Sequence, residues 1–73
     1  MYETTLNGIN YVEADTINEK EITYSYLVNP NDTDDFIIRK IINKEGKEYY
    51  DALDNETEYN LALMYFIKKH AVN

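Results

Sequence analysis

Apolar and polar residues alternate with a period of two through most of this chain, and the period lengthens to that of a helix near the C-terminal end. The clearest alternation covers residues 22–28. There Ile22, Tyr24, Tyr26 and Val28 fall on one side and Thr23 and Ser25 on the other, the pattern of a half-buried strand. Leu27 interrupts the polar side, so partial cover of the second face is expected as well. Upstream, Asn7-Gly8 is a hairpin signal, because both residues tolerate the positive φ that a type I′ turn requires. It predicts a strand over residues 2–6 joined to another from Ile9 to about Ile17, with Ile9 and Tyr11 facing one way and Val12 and Ala14 the other.

Residues 18–21 are polar and fit a turn. Residues 29–35, with Pro30 amid Asn and Asp, predict a loop, since proline and Asx side chains favour turns over ladders. Five of the seven residues 36–42 are large and apolar, which predicts a central strand contacted on both faces. Residues 43–47 form a second hairpin connection with Gly46 in the left-handed conformation. A last strand follows over residues 48–53, where Tyr49, Asp51 and Leu53 oppose Tyr50 and Ala52.

The closing segment reads as a helix. Asp54 or Asn55 can cap it, and Glu58, three residues after Asn55, gives a capping-box arrangement. Glu56 and Glu58 stand in the first turn and Lys68, Lys69 and His70 in the last, which suits the helix dipole at both ends. Tyr59, Ala62, Leu63, Phe66 and His70 mark one face, with Ile67 beside it; Leu61, Met64 and Tyr65 widen the apolar arc beyond what one sheet face needs. The expected fold is α+β: an antiparallel β-meander of four to five strands with one C-terminal helix packed on one face. Residues 1–73 make one small domain.

Charge changes this picture by giving the domain a polarity. Residues 1–38 hold eight acids against one base, Lys20, a balance of −7, whereas residues 39–73 hold six acids and six bases. Such an excess repels phosphate backbones and anionic lipid, so direct nucleic-acid and membrane binding are disfavoured and a protein partner with a basic surface is favoured. A domain of 73 residues buries only about 60% of its extended-chain surface, and without cysteine neither a disulfide nor a thiolate zinc site can add stability. Pairing with a second copy through Leu61, Met64, Tyr65 and Ile67 would add it. Residues 1–5 lack the basic and apolar regions of a signal peptide, and the longest strictly apolar run, residues 61–64, is far too short to span a bilayer, so a cytoplasmic protein is expected.

Candidate chemistry is sparse. The acidic stretch Asp32-Thr33-Asp34-Asp35 lacks the glycine and the terminal glutamate of an EF-hand loop, and no helices flank it, so it reads as a solvated connection. His70 is the sole histidine and Ser25 the sole serine. The first is explained as a cation at a helix C-terminus and the second as a strand residue without a glycine elbow. The pairs Asp51 with Asp54 and Glu45 with Glu48 have nothing to bury them. No catalytic residue, metal or cofactor is expected. Asn31-Asp32-Thr33 and Asn55-Glu56-Thr57 match the glycosylation pattern, which carries no meaning without export. Among eight tyrosines, Tyr24, Tyr26, Tyr59 and Tyr49 fit core packing, while Tyr2, Tyr11, Tyr50 and Tyr65 are left over; exposed tyrosine suits an interface because it offers large area at low entropy cost.

From Ala14 onward the chain resembles a known family. Asp15-Thr16-Ile17 with Lys20-Glu21-Ile22-Thr23-Tyr24-Ser25-Tyr26-Leu27-Val28 is similar to its first conserved segment and Phe36-Ile37-Ile38-Arg39-Lys40-Ile41 to its second strand. Gly46-Lys47-Glu48-Tyr49 resembles its turn, and Glu58-Tyr59-Asn60 with Phe66 its closing helix. The family is that of the YrzB-like proteins, small acidic proteins of Firmicutes with no established activity. Near the N-terminus it carries Glu/Asp-Gly where this chain has Asn7-Gly8. The resemblance implies a bacterial or phage origin and no site residues. The functional expectation is therefore a small acidic, non-enzymatic interaction module, an accessory or regulatory protein. Its partner-binding surface is expected to combine Glu13, Asp15, Glu19, Glu21, Asp32, Asp34 and Asp35 with Tyr11. The alternative is a nucleic-acid mimic that inhibits a DNA-processing enzyme, which requires the carboxylates to lie in one stripe.

Overall fold

A computed structural model describes residues 3–71. Five strands form one antiparallel sheet in the order β1-β2-β3-β4-β5: β1 (Glu3–Leu6), β2 (Ile9–Glu19), β3 (Ile22–Asn29), β4 (Asp32–Lys44) and β5 (Lys47–Asp51). Helix α1 (Glu56–His70) follows and covers one face, the α+β meander that the periodicity predicts. Tyr2, expected to open the first strand, lies outside the described residues.

Local chemistry sets the connections. Three hairpins close on two residues with positive φ: Asn7 (53°) and Gly8 (78°), Lys20 (52°) and Glu21 (67°), Glu45 (54°) and Gly46 (82°). That paired left-handed geometry matches the right-handed twist of the flanking strands. The stretch expected as a seven-residue loop is shorter than its composition suggests. Only Pro30 and Asn31 form the turn, and strand structure resumes at Asp32. The Asn29 side chain accepts the Asn31 N–H at 2.9 Å, as Asx turns do, and the surplus residues 33–35 are absorbed as an irregularity between the pairs Asn29–Asp32 and Val28–Phe36. Asp32, Asp34 and Asp35 thus belong to β4 and not to a loop. The last strand is also shorter than expected, ending at Asp51.

The sheet has two unlike faces. On one, Tyr24, Ile38, Ala62 and Phe66 form the core against α1, with Ile17, Ile22, Tyr26, Leu53, Leu63 and Tyr65 packed around it. Tyr26 stacks on Phe36 at 4.9 Å between ring centres and meets Phe66 at 5.5 Å, spacings favoured by aromatic quadrupoles. The helix crosses the sheet obliquely. Its first turn is fixed to β4, where Lys40 Nζ donates to Glu58 and Asp54, and its last turn to β2, where Lys69 Nζ donates to Asp15 at 2.7 Å. Asn55 caps α1 by accepting the Glu58 N–H at 2.8 Å; Glu58 in turn accepts the Asp54 N–H at 2.6 Å, one residue earlier than the ideal capping box.

A bulge divides β2. Glu13 pairs with Leu27 but Asp15 pairs with Tyr26, so Ala14 is an extra residue that shifts the phase of the strand. Before it, Tyr11 and Glu13 point away from the helix. After it, Asp15 and Ile17 point toward it.

Candidate interaction surfaces

Among the described residues no element lies over the face opposite α1, yet its centre is buried. Leu27 and Ser25 are 0% exposed and Tyr11 is 5% exposed. Long side chains from outer strands lie across the middle and provide the cover. Tyr11 of β2 reaches over β3 to donate to Asp35 of β4 at 2.9 Å, and Asn29 Nδ2 donates to the other Asp35 oxygen at 3.2 Å. Tyr50 of β5 donates to Glu13 of β2 at 2.7 Å. Two strands lie between that last pair, so a flat sheet would hold their backbones roughly 14 Å apart. The bond requires the sheet to curl into a bowl with this face inside. Ser25 Oγ donates to the same Glu13 oxygen at 2.8 Å. Among the described residues no buried side-chain nitrogen or oxygen is left without a partner.

This network is polar but chemically closed. The Glu13 oxygen is occupied by two donors, and beside Tyr50 lies a notch of about 80 Å³ lined by Ile41, Glu48, Tyr49 and Tyr50. Hydrogen bonding to Asp35, burial and the charge of Asp35 all push the Tyr11 hydroxyl above its ordinary pKa, against the pull of Arg39. It stays protonated. Ser25 and His70 lie on opposite faces: His70 Nε2 sits 2.7 Å from Asp15 on the helix side, while Ser25 is sealed in the bowl. The hydroxyl and the imidazole therefore do not meet. Among the described residues no three His, Asp or Glu side chains converge as a metal site would require. None of the helices there is long and apolar enough to cross a membrane.

The acids expected to share one binding patch are distributed over four places. Glu13 and Asp35 turn into the bowl. Asp15 is on the helix side, where burial opposes its charge but the Lys69 ammonium, His70 and the Thr16 N–H together hold it below the usual carboxylate range. Glu19 ends β2 and Glu21 is in the β2–β3 turn, in company with Lys20 and, across the same end of the sheet, Lys44 and Lys47. Asp32 and Asp34 are exposed at the opposite end, beside the Pro30–Asn31 turn. Ion pairs among the described residues engage Asp15, Asp54 and Glu58, and leave Glu19, Glu21, Asp32 and Asp34 without a cation.

Two tyrosine expectations reverse. Tyr11 is a buried part of the bowl and offers no surface, whereas Tyr49, expected in the core, is 49% exposed on the short edge strand β5. The bulge explains the first, since it separates Tyr11 and Glu13 from Asp15, which simple alternation would place on the same side. On α1, Leu61, Met64 and Ile67 are exposed, while Tyr65 is half-buried against the core and leaves the expected pairing face. An open groove of about 280 Å³ runs along the helix flank between Tyr26, Leu63, Phe66, Ile67 and His70. Sequence reasoning missed Tyr50 as a structural anchor, because its partner Glu13 is 37 residues away. No family model, curated protein or solved structure matches this chain.

Proposed function

We propose that this protein is a non-enzymatic interaction module that engages a partner with a basic surface through the Asp32–Asp34 end of its sheet. The observation that supports the reading is that Asp32 and Asp34 are exposed and enter no ion pair among the described residues, whereas Glu19 and Glu21 share their end of the sheet with Lys20, Lys44 and Lys47 and Asp15 is already paired with Lys69. Opposite charge at such a rim sets encounter rate and selects against acidic partners more than it adds affinity. Closed hydrogen bonding around Glu13 and Ser25 supports a binding rather than a catalytic role. The mimic of a nucleic acid has weaker support, since its carboxylates would need one continuous stripe and those of this chain are split between two faces and both ends.

The test is affinity capture with cross-linking in cells of the source organism, comparing the parent chain with the double variant Asp32→Lys, Asp34→Lys. One reproducible partner with a basic surface should be retained by the parent, and its affinity should fall about tenfold in the variant at physiological salt. Recovery of chaperones alone, or capture indifferent to the double variant, would refute this assignment.

A further inference from the structure

The outer side of α1 carries more apolar surface than the fold uses. Leu61, Met64 and Ile67 are 39%, 46% and 58% exposed, and their spacing of three places them in a line along the helix. Ala62 and Phe66, buried against the sheet, mark the opposite side. A helix that needed only to cover this sheet would present polar residues here. Single exposed leucines are ordinary, but three large side chains in a row form a ridge.

What covers the ridge is indicated by the charges around it. The helix runs from an acidic first turn, Glu56 and Glu58, to a basic last turn, Lys68, Lys69 and His70. Lys40 and Asp15 satisfy Glu58 and Lys69 within the chain, while Glu56 and Lys68 are exposed and enter no ion pair among the described residues. The complement of such a helix is the same helix reversed. Antiparallel packing opposes the two dipoles and brings the Lys68 end of each copy to the Glu56 end of the other. The ridge also has the required symmetry: Leu61 and Ile67 stand three residues either side of Met64, so a two-fold axis at Met64 exchanges them. A parallel copy would bring like charges together, and a uniformly basic partner would suit only half the helix.

We infer that the protein self-associates into a two-fold dimer through the outer side of α1, the two helices antiparallel and centred on Met64. The surface is separate from the Asp32–Asp34 end, so either assignment can fail without the other. Three ridge residues make an interface below the standard size, and the dissociation constant is expected on the order of 10–100 μM.

Sedimentation velocity of the full chain between about 5 and 500 μM reads the equilibrium directly. Mass should rise from monomer to dimer over that range. Met64→Glu should raise the dissociation constant at least about tenfold, and Lys68→Glu about threefold to tenfold by placing acid against acid. Adding Glu56→Lys to Lys68→Glu should restore association. All three positions are exposed, so circular dichroism is expected to show the parent fold in every variant. A monomer at the highest concentration, or association unmoved by Met64→Glu, would overturn the dimer. Failure of the double swap to restore what Lys68→Glu removes would overturn the antiparallel arrangement.

Discussion

Glu13 accepts from Ser25 and Tyr50 through one oxygen, at the floor of a bowl where Ser25 has no contact with water. Removing this half-buried acceptor strands the buried Ser25 donor, which costs about 1–3 kcal/mol, whereas removing one donor forfeits only about 1 kcal/mol. Glu13→Ala is therefore expected to destabilise the chain more than Ser25→Ala does. The pair should also be non-additive: with Ser25→Ala already present, Glu13→Ala should cost roughly 1 kcal/mol less than it does alone. Chemical denaturation of the four members of the cycle measures this, and strict additivity would mean the hydroxyl has found another acceptor. None of this was readable from residue types. A glutamate within a strand reads as solvent-facing, and the partial cover of Glu13 arises from the curl of the sheet, which brings Tyr50 to it from two strands beyond its neighbour.

The helix is the element most fully written in its own sequence. Its Asn55 cap, its charged ends and the buried positions Ala62 and Phe66 depend on neighbours three and four residues away and take the expected places, while Tyr65 turns to the core and His70 to Asp15. Asn55→Ala removes the side chain that accepts the Glu58 N–H and should lower stability by about 1 kcal/mol. Thermal unfolding followed at 222 nm checks it, and an unchanged midpoint would show that Glu58 and Asp54 hold the first turn by themselves. The strands were legible in place and in facing where their alternation is unbroken, as in β3. Legibility failed at two points. The Ala14 bulge inverts the side that Tyr11 and Glu13 occupy, and the Asp-rich stretch of β4 is extended because Asp32 and Phe36 on either side of it pair with β3, despite the low strand propensity of aspartate, a tertiary override of local preference.

At the scale of the whole molecule, the ion pairs that fix α1 to the sheet make stability depend on pH at both ends. Asp15 and Glu58 have folded-state pKa values below their ordinary 3.8 and 4.5; in Glu58 the Asp54 N–H leads, followed by Tyr24 and Lys40, against the opposing effect of burial. A lowered carboxylate contributes stability that is present above its unfolded value and lost as pH falls through its folded value. The protein should therefore weaken below about pH 4.5, and Glu58→Gln should flatten that acid limb. On the alkaline side, burial and then the bond to Glu58 push the Tyr24 hydroxyl up to about 12, and Lys40 is raised by Asp54, against burial, and by Glu58. Raised groups contribute stability in full below their unfolded values, so the fold should loosen from about pH 10 toward about 12 as these sites are forced to release protons. Urea midpoints across pH 2–12, with tyrosinate absorbance followed above pH 10, check both limbs; a flat profile would show that the pairs are too well solvated to matter.

The extra residue at position 14 has a further consequence, for how the chain tolerates changes in its length. Every alternating strand carries a reading frame of sides, and Ala14 resets that frame once, midway along β2. Excising it would leave Glu13 and Asp15 as successive residues opposite Leu27 and Tyr26, so each would keep its present side and only the kink in the strand would go. A one-residue gap is thus expected to be borne at position 14 and not at its neighbours, where losing Glu13 would take the acceptor from Ser25 and Tyr50, and losing Asp15 would take the partner from Lys69 and His70.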